Sequence, residues 1–321
     1  MRRHMQKGME KVRQSKWGTV ITVLLGLWLV AFAISYVMSG SAAPVLGDGK
    51  IVLIPIYGVI TGDGSSSLPF GAETSNSAQI VEYINQAGKD DNIKGVILEI
   101  NSPGGTVVAS KEIADAVKVL KSKKPVVAWI REVGASGGYW IASASNKIVA
   151  DSMSITGSIG VTSSYLEYTG LMDEYGIGYE QLIAGKYKDV GSPFRELKVE
   201  ERNILQGKLA MIQAHFVNAV AENRGLDKDY VMGISTGMFY LGQEAYNYGL
   251  VDYLGGKDLA INVTKELAGI EDAKIVKFEK KKTIFDAFSK LSASAFYYMG
   301  RGIGAEIGSQ ATVSSNLELM A

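Results

Sequence analysis

Three runs nearly devoid of polar side chains, Ile51 to Ile60 (IVLIPIYGVI), Gly95 to Ile100 (GVILEI) and Val126 to Ile130 (VVAWI), alternate with segments of helical periodicity, and this alternation constrains the fold more than any other feature. A strand that is apolar at almost every position has to be covered on both faces. The covering elements lie between the runs. One helix is marked by Ile80 and Ile84, and a second carries Ala109, Ile113, Val117 and Leu120 on one face before Lys124 and Pro125 end it. Such an order predicts right-handed β-α-β units and an α/β fold with a mainly parallel sheet. With 321 residues, 47% of them hydrophobic and 21% charged, the chain can bury a core of that kind. A Gly/Ser-rich loop is expected from Thr61 to Asn76, and Asn101 to Gly105 (NSPGG) reads as a turn. Leu205, Leu209, Ile212, Phe216 and Val220 mark a long later helix whose apolar face is expected in the core. No repeat with a period of roughly 20 to 50 residues is visible.

The front of the chain obeys a different logic. Arg2, Arg3, Lys7, Lys11, Arg13 and Lys16 stand against a single acid, Glu10, and no charge then follows until Asp48. The uncharged stretch includes the apolar run Val20 to Met38, long enough at about 1.5 Å per residue to span roughly 30 Å of hydrocarbon. The expectation is a basic cytoplasmic segment over residues 1–17, a transmembrane anchor over 18–38 and a linker over 39–50. Everything beyond the linker would lie outside the cytoplasm, facing outward from an inner or plasma membrane crossed once. The competing reading is a signal peptide cut near Ser41, Ala42 and Ala43, but its apolar region would be only about 7 to 15 residues. Residues 51–270 are expected to form the catalytic domain and 271–321 an extension in which Ile284, Phe288, Leu291 and Ala295 line an amphipathic helix.

Composition excludes several chemistries. Cysteine is absent and the histidines are His4 and His215, so thiolate nucleophiles, disulfides and the usual zinc sites are unsupported. The body of the chain is mildly acidic once the basic front is set aside, which argues against a nucleic-acid partner. What remains is Gly134, Ala135, Ser136, Gly137, Gly138, placed between a predicted strand and a predicted helix from Tyr139 to Ala144. Small residues on both sides of a serine permit a sharp turn that exposes its hydroxyl, although a plain strand-to-helix turn also favours glycine. A serine needs a base. His4 falls on the wrong side of the expected membrane, and His215 sits inside the long helix beside Phe216, where a structural role is the simpler reading. A lysine can serve instead if it is neutral near pH 7, which requires its pKa of about 10.4 to fall by roughly three units, or about 4 kcal/mol. Gly185 to Asp189 offers Lys186 and Lys188, and composition does not choose between them.

The segments NSPGG (Asn101 to Gly105), GASGGYW (Gly134 to Trp140), TGSIGV (Thr156 to Val161), GKYKDVGSPFR (Gly185 to Arg195) and TGMFYLGQEAYNYGLVDYLGG (Thr236 to Gly256) together resemble the signal peptide peptidase A family of serine peptidases. The resemblance runs from Ile51 to Leu267 and implies the fold shared by Clp protease and crotonase, built of β-β-α units. Carried over motif by motif, Ser136 matches the nucleophile and Lys188 the base. Ser158 matches a hydroxyl that orients the lysine, and the amides of Gly105 and Gly137 match the oxyanion hole, with Gly104 an alternative donor and a plain turn cap an alternative role for Ser158. The family implies a membrane-anchored endopeptidase that needs no cofactor and no metal and degrades residual signal peptides and other apolar peptides. One copy of the motif set is present, as in the family's short members, which implies a ring-like homo-oligomer in which Ser136 of one subunit meets Lys188 of the next. Two other readings stay in view. Gly134, Ser136 and Gly138 also fit G-x-S-x-G, the signature of an α/β-hydrolase esterase with His215 as base, and the same fold can serve as a non-catalytic membrane scaffold.

Overall fold

A computed structural model describes residues 18, 21–32, 49–63 and 74–278. The chain divides into two compact units, Met1–Gly47 and Asp48–Ala321. In the first, residues 21–32 are helical (α1), with Leu24, Leu27, Trp28 and Phe32 exposed and Trp28 stacked on Phe32 at 5.5 Å. Among the described residues no helix is long and apolar enough to cross a membrane. The expected anchor over 18–38 reaches beyond those residues. The basic segment, the cleavage alternative near Ser41, most of the linker, the middle of the Gly/Ser-rich loop and the stripe from Ile284 to Ala295 lie outside them.

The second unit begins with β1 (Lys50–Thr61), then β2 (Thr74–Asn76), α2 (Ser77–Lys89), β3 (Ile93–Gly105), α3 (Val107–Lys121), β4 (Val126–Ala135) and α4 (Gly137–Ser143). β5 (Lys147–Ala150), β6 (Ile155–Gly157), α5 (Thr169–Glu174), α6 (Val199–Arg224) and α7 (Lys228–Ile234) follow. The unit closes with β7 (Phe239–Leu241), α8 (Gly242–Asn247), β8 (Tyr253–Leu254), α9 (Lys257–Ala268) and β9 (Lys274–Lys277). The sheet runs β2-β1-β3-β4-β5-β8, with β6 on β4, β7 on β6 and β9 on β1. Every pairing is parallel except β6 with β7, so the fold is α/β with a mainly parallel sheet, consistent with a Clp protease-like fold.

Side-chain alternation explains why the central strands carry so few polar residues. Val52, Ile54, Ile56, Val96, Leu98, Ile100, Ala128 and Ile130 face α2, α3 and α4 in the main core, while Ile51, Leu53, Ile97 and Val127 face α9 on the other side. Because β9 pairs with the first half of β1, the sheet takes in residues up to Lys277, past the boundary expected at 270.

Two features depart from the sequence reading. NSPGG is not a turn: β3 runs through it to Gly105, still paired with β1 as Val59↔Gly104 and Ile60↔Gly105. Glycine makes this approach feasible, since a Cβ on Gly105 would lie 2.0 Å from the Ile60 carbonyl oxygen. The stripe on α6 is core only in its second half. Phe216 and Val220 are buried, but Leu205, Leu209 and Ile212 are only half-buried, because none of the described residues covers the first turns of the helix fully.

Candidate active site

The strand β4 delivers its last residue, Ala135, against Gly157 of β6, and the next residue, Ser136, starts α4. At that junction Ser136 adopts φ 52 and ψ −121, a conformation that costs an L-residue on the order of 1–3 kcal/mol. The surroundings hold it there. Its amide donates to the Gly157 carbonyl (2.9 Å), its carbonyl accepts from Trp140 (2.9 Å), and α4 beyond it is wholly buried. The strained turn leaves the hydroxyl facing a cavity of about 240 Å³, lined among others by Gly105, Gly137, Ser158, Trp140 and Phe216.

The end of β3 closes one wall. Gly104 has φ +105, and a Cβ there would sit 2.7 Å from the Gly137 nitrogen and 3.0 Å from Ser136 Cβ. The Gly104 amide is occupied, donating to Ser102 Oγ (3.1 Å), whose hydroxyl in turn donates to the Gly58 carbonyl (2.6 Å). Gly105 lines the cavity itself, and its nitrogen lies 3.3 Å from where a Cβ on Gly137 would be. Of the two β3 glycines, Gly105 is therefore the one with an amide placed beside Gly137 at the cavity wall.

The second strained serine is Ser158, with φ 50. Its amide donates to the Met238 carbonyl (3.1 Å) and its hydroxyl to the Gly237 carbonyl (3.0 Å), so its oxygen keeps acceptor capacity at the cavity it lines. The floor is aromatic. Trp140 of α4 stacks on Phe216 of α6 at 4.5 Å with the rings 8° from parallel. Below this floor, Tyr139 donates to the Leu250 carbonyl (2.9 Å), and burial pushes its phenol up so that it stays protonated. Arg224 closes α6 by pairing with Asp252 (2.8 Å) and donating to the Gly249 carbonyl. Burial pushes the Asp252 carboxyl up, yet the hydrogen bond and charge of Arg224 outweigh it and hold the group below the usual range.

Four of the five expected site residues, Ser136, Ser158, Gly105 and Gly137, thus meet at one cavity; the fifth does not. Lys188 is exposed and lies in a segment, Gly160 to Glu200, in which no residue is buried. Its partner candidate Lys186 is engaged, with its ammonium 2.9 Å from Glu200 Oε1. Hydrogen bonding to Tyr187 and Glu200 holds Lys186 above the ordinary lysine range. Lys188 forms no ion pair among the described residues. His215 is exposed and does not line the cavity, although its neighbour Phe216 does. Phe216 and Trp140 were legible only as apolar positions; nothing in their spacing distinguishes a cavity floor from ordinary core.

A hydroxyl on a strained strand-to-helix bend, flanked by close-packed glycine amides at the end of a parallel sheet, defines the class as a serine hydrolase on a Clp protease-like frame. Comparison with known proteins narrows this. The model of peptidase family S49 matches residues 118–271, and that of Clp protease matches residues 54–154. A candidate protease of Methanocaldococcus jannaschii is 35% identical over 296 residues, covering 90% of this chain and 91% of its own. A candidate signal peptide peptidase SppA of Enterococcus faecium is 31% identical, covering 92% of this chain and 83% of its own. The chloroplastic serine protease SPPA of Arabidopsis thaliana is 34% identical over 70% of this chain and 33% of its own. The chain belongs to peptidase family S49, the signal peptide peptidase A family, and is a serine peptidase.

Proposed function

We propose that the protein is a membrane-anchored endopeptidase in which Ser136 of one subunit is activated by Lys188 of a neighbouring copy. One observation carries this reading: among the described residues, no titratable side chain lines the cavity that holds Ser136. A serine in such a place needs a base from outside it. The lysine that matches the base does not line this cavity in its own chain. Lys188 is tied through Asp189 and Arg195 to Glu201 in the first turn of α6, while Phe216, fifteen residues further along the same helix, floors the cavity. At 1.5 Å per residue that separation is roughly 22 Å. The segment also carries apolar surface that suits a second copy, with Leu166, Leu171, Tyr175, Ile177, Leu182 and Val199 all more than half exposed.

In the assembled site, Ser136 Oγ attacks the scissile carbonyl while its proton passes to the neutral Lys188 amine. The amides of Gly105 and Gly137 donate to the oxyanion, and Ser158 accepts from the lysine to aim it. The Lys188 ammonium then protonates the leaving amine. Water, deprotonated by the same amine, hydrolyses the acyl-serine and restores the hydroxyl. Burial at the subunit boundary strips water from the amine, which is the condition for a neutral lysine. The substrates in this reading are extended, apolar peptides with small side chains at the cut, including signal peptide remnants. They are met on the outer side of an inner or plasma membrane, to which residues 18–38 anchor the protein.

Subunit mixing tests the central claim. Ser136→Ala and Lys188→Ala should each abolish peptide hydrolysis, whereas Lys186→Ala should keep activity within a few-fold of wild type. Co-expressing the Ser136→Ala and Lys188→Ala chains should restore part of the activity, because some interfaces then pair an intact serine with an intact lysine. Full activity in either single variant defeats the dyad, and a silent mixture of assembled chains defeats its sharing between subunits. The esterase reading predicts instead that His215→Ala is inactive, and the exposed position of His215 away from the cavity speaks against it.

A further inference from the structure

The segment Gly160 to Glu200 has no buried residue, yet one cluster at its end is shielded from solvent. Arg195 donates through Nε to Asp189 Oδ2 (2.5 Å) and through Nη1 and Nη2 to Glu201 Oε2 and Oε1 (2.9 and 2.8 Å). Glu201 is only 2% exposed and also accepts from the Lys198 amide (3.1 Å), capping the free N–H at the start of α6. Asp189 takes a further hydrogen bond from Gln181, and its own carbonyl accepts from the Ser192 amide (2.9 Å). A planar guanidinium is thus bonded to two carboxylates at once, a geometry a lysine ammonium does not reproduce. The cluster ties together two things that the chain would otherwise leave independent: the turn bearing Lys188, immediately before Asp189, and the rod of α6, whose far end floors the cavity.

We infer that Arg195 is a positioning residue for the Lys188 base, holding the turn at a fixed reach and keeping the adjacent Asp189 carboxylate away from the amine. This deepens the proposed function and rests on Lys188 acting as the base. The second half of the inference follows from where the negative charges are committed. Around the turn, Glu200 is taken by Lys186 and Tyr187, while Asp189 and Glu201 are taken by Arg195. Glu196 forms no ion pair among the described residues, and Lys198 adds a positive charge nearby. The hydrogen bond from Arg195 is the main reason the Asp189 carboxyl stands below its ordinary range, so it is ionised throughout the working pH. Were Arg195 removed, that carboxylate, one residue along the chain from Lys188, would be left without its counter-charge and would favour the charged, catalytically useless form of the amine.

The test is a pH-rate profile of peptide hydrolysis by the full-length, assembled protein. Arg195→Gln should lower kcat by about 10- to 100-fold with little change in KM. It should also raise the acid-limb pKa by about one unit, the lower end of what one opposite charge does at close range. Adding Asp189→Asn should return the limb to its wild-type position while the rate stays low, since the reach is still unrestrained. Arg195→Lys, which keeps the charge without the fork, should also lose rate, and it carries the test if Arg195→Gln does not assemble. A limb unmoved in Arg195→Gln, or a kcat within two-fold of wild type, overturns the inference. Lys188→Ala separates the two levels: if it stays active, the dyad itself has failed, and if it is inactive while Arg195 variants behave as wild type, only the positioning role has.

Discussion

Replacing Gly105 by alanine probes the joint between the sheet and the chemistry. A Cβ there would fall 2.0 Å from the Ile60 carbonyl oxygen and 2.6 Å from both the Ile60 carbonyl carbon and its nitrogen. All three atoms are backbone of β1, so no rotamer change relieves the clash and β3 must withdraw from β1 near its end. Overpacking of that order costs about 1–3 kcal/mol. For a domain of this size it corresponds to a fall in Tm of about 3 to 10 °C. The withdrawal also drags the Gly105 amide away from Gly137 and Ser136, and loss of one oxyanion donor is worth about 10²- to 10³-fold in kcat. The two effects separate by assay: thermal unfolding reports the first, and steady-state peptide hydrolysis well below the new Tm reports the second, with KM nearly unchanged. Gly233→Ala in α7, where a Cβ meets nothing within 4 Å, is the matched control and should gain about 0.5–1 kcal/mol. A folded Gly105→Ala protein with kcat within three-fold of wild type would refute the assignment of this amide to the oxyanion.

Two further outcomes follow from the floor and from the ion pair beneath it. Phe216, fully buried and stacked on Trp140, should cost about 3–5 kcal/mol when cut to alanine. The enlarged cavity should shift cleavage toward peptides with bulkier residues at the cut; an unchanged preference in the folded variant would show that this cavity does not receive the substrate side chain. Asp252→Asn should leave Arg224 buried without its counter-charge and cost about 3 kcal/mol, read as a lower Tm. Because the Asp252 carboxyl is depressed in the folded state, its contribution is complete above the unfolded value of about 3.9 and fades as pH falls through the folded one. The wild type should therefore lose more stability on acidification below pH 4 than Asp252→Asn does, and parallel acid titrations of the two would contradict this.

What the sequence makes legible is whatever depends on one chain and on nearest neighbours. The central strands announce themselves because both faces are buried, so Val96 to Ile100 carries almost no polar side chain. Ser136 is legible because a bend with φ 52 needs small neighbours, and Ala135 and Gly137 supply them. NSPGG misleads because its residue types are those of a turn, whereas the structure uses Gly104 and Gly105 for the contact of one backbone with another. The choice between Lys186 and Lys188 is invisible locally, since the two share a loop and a composition. What distinguishes them in three dimensions is Glu200 on α6, which engages Lys186, while Lys188 forms no ion pair among the described residues. Periodicity has a further blindness: it reports that a face is apolar, not which molecule covers it. Leu205, Leu209 and Ile212 continue the stripe of Phe216 and Val220, yet they lie half-open beside a segment with no buried residue. A second copy that covered this face and carried its Lys188 to Ser136, as proposed above, would supply both what the half-open stripe lacks and what the described lining of the cavity lacks.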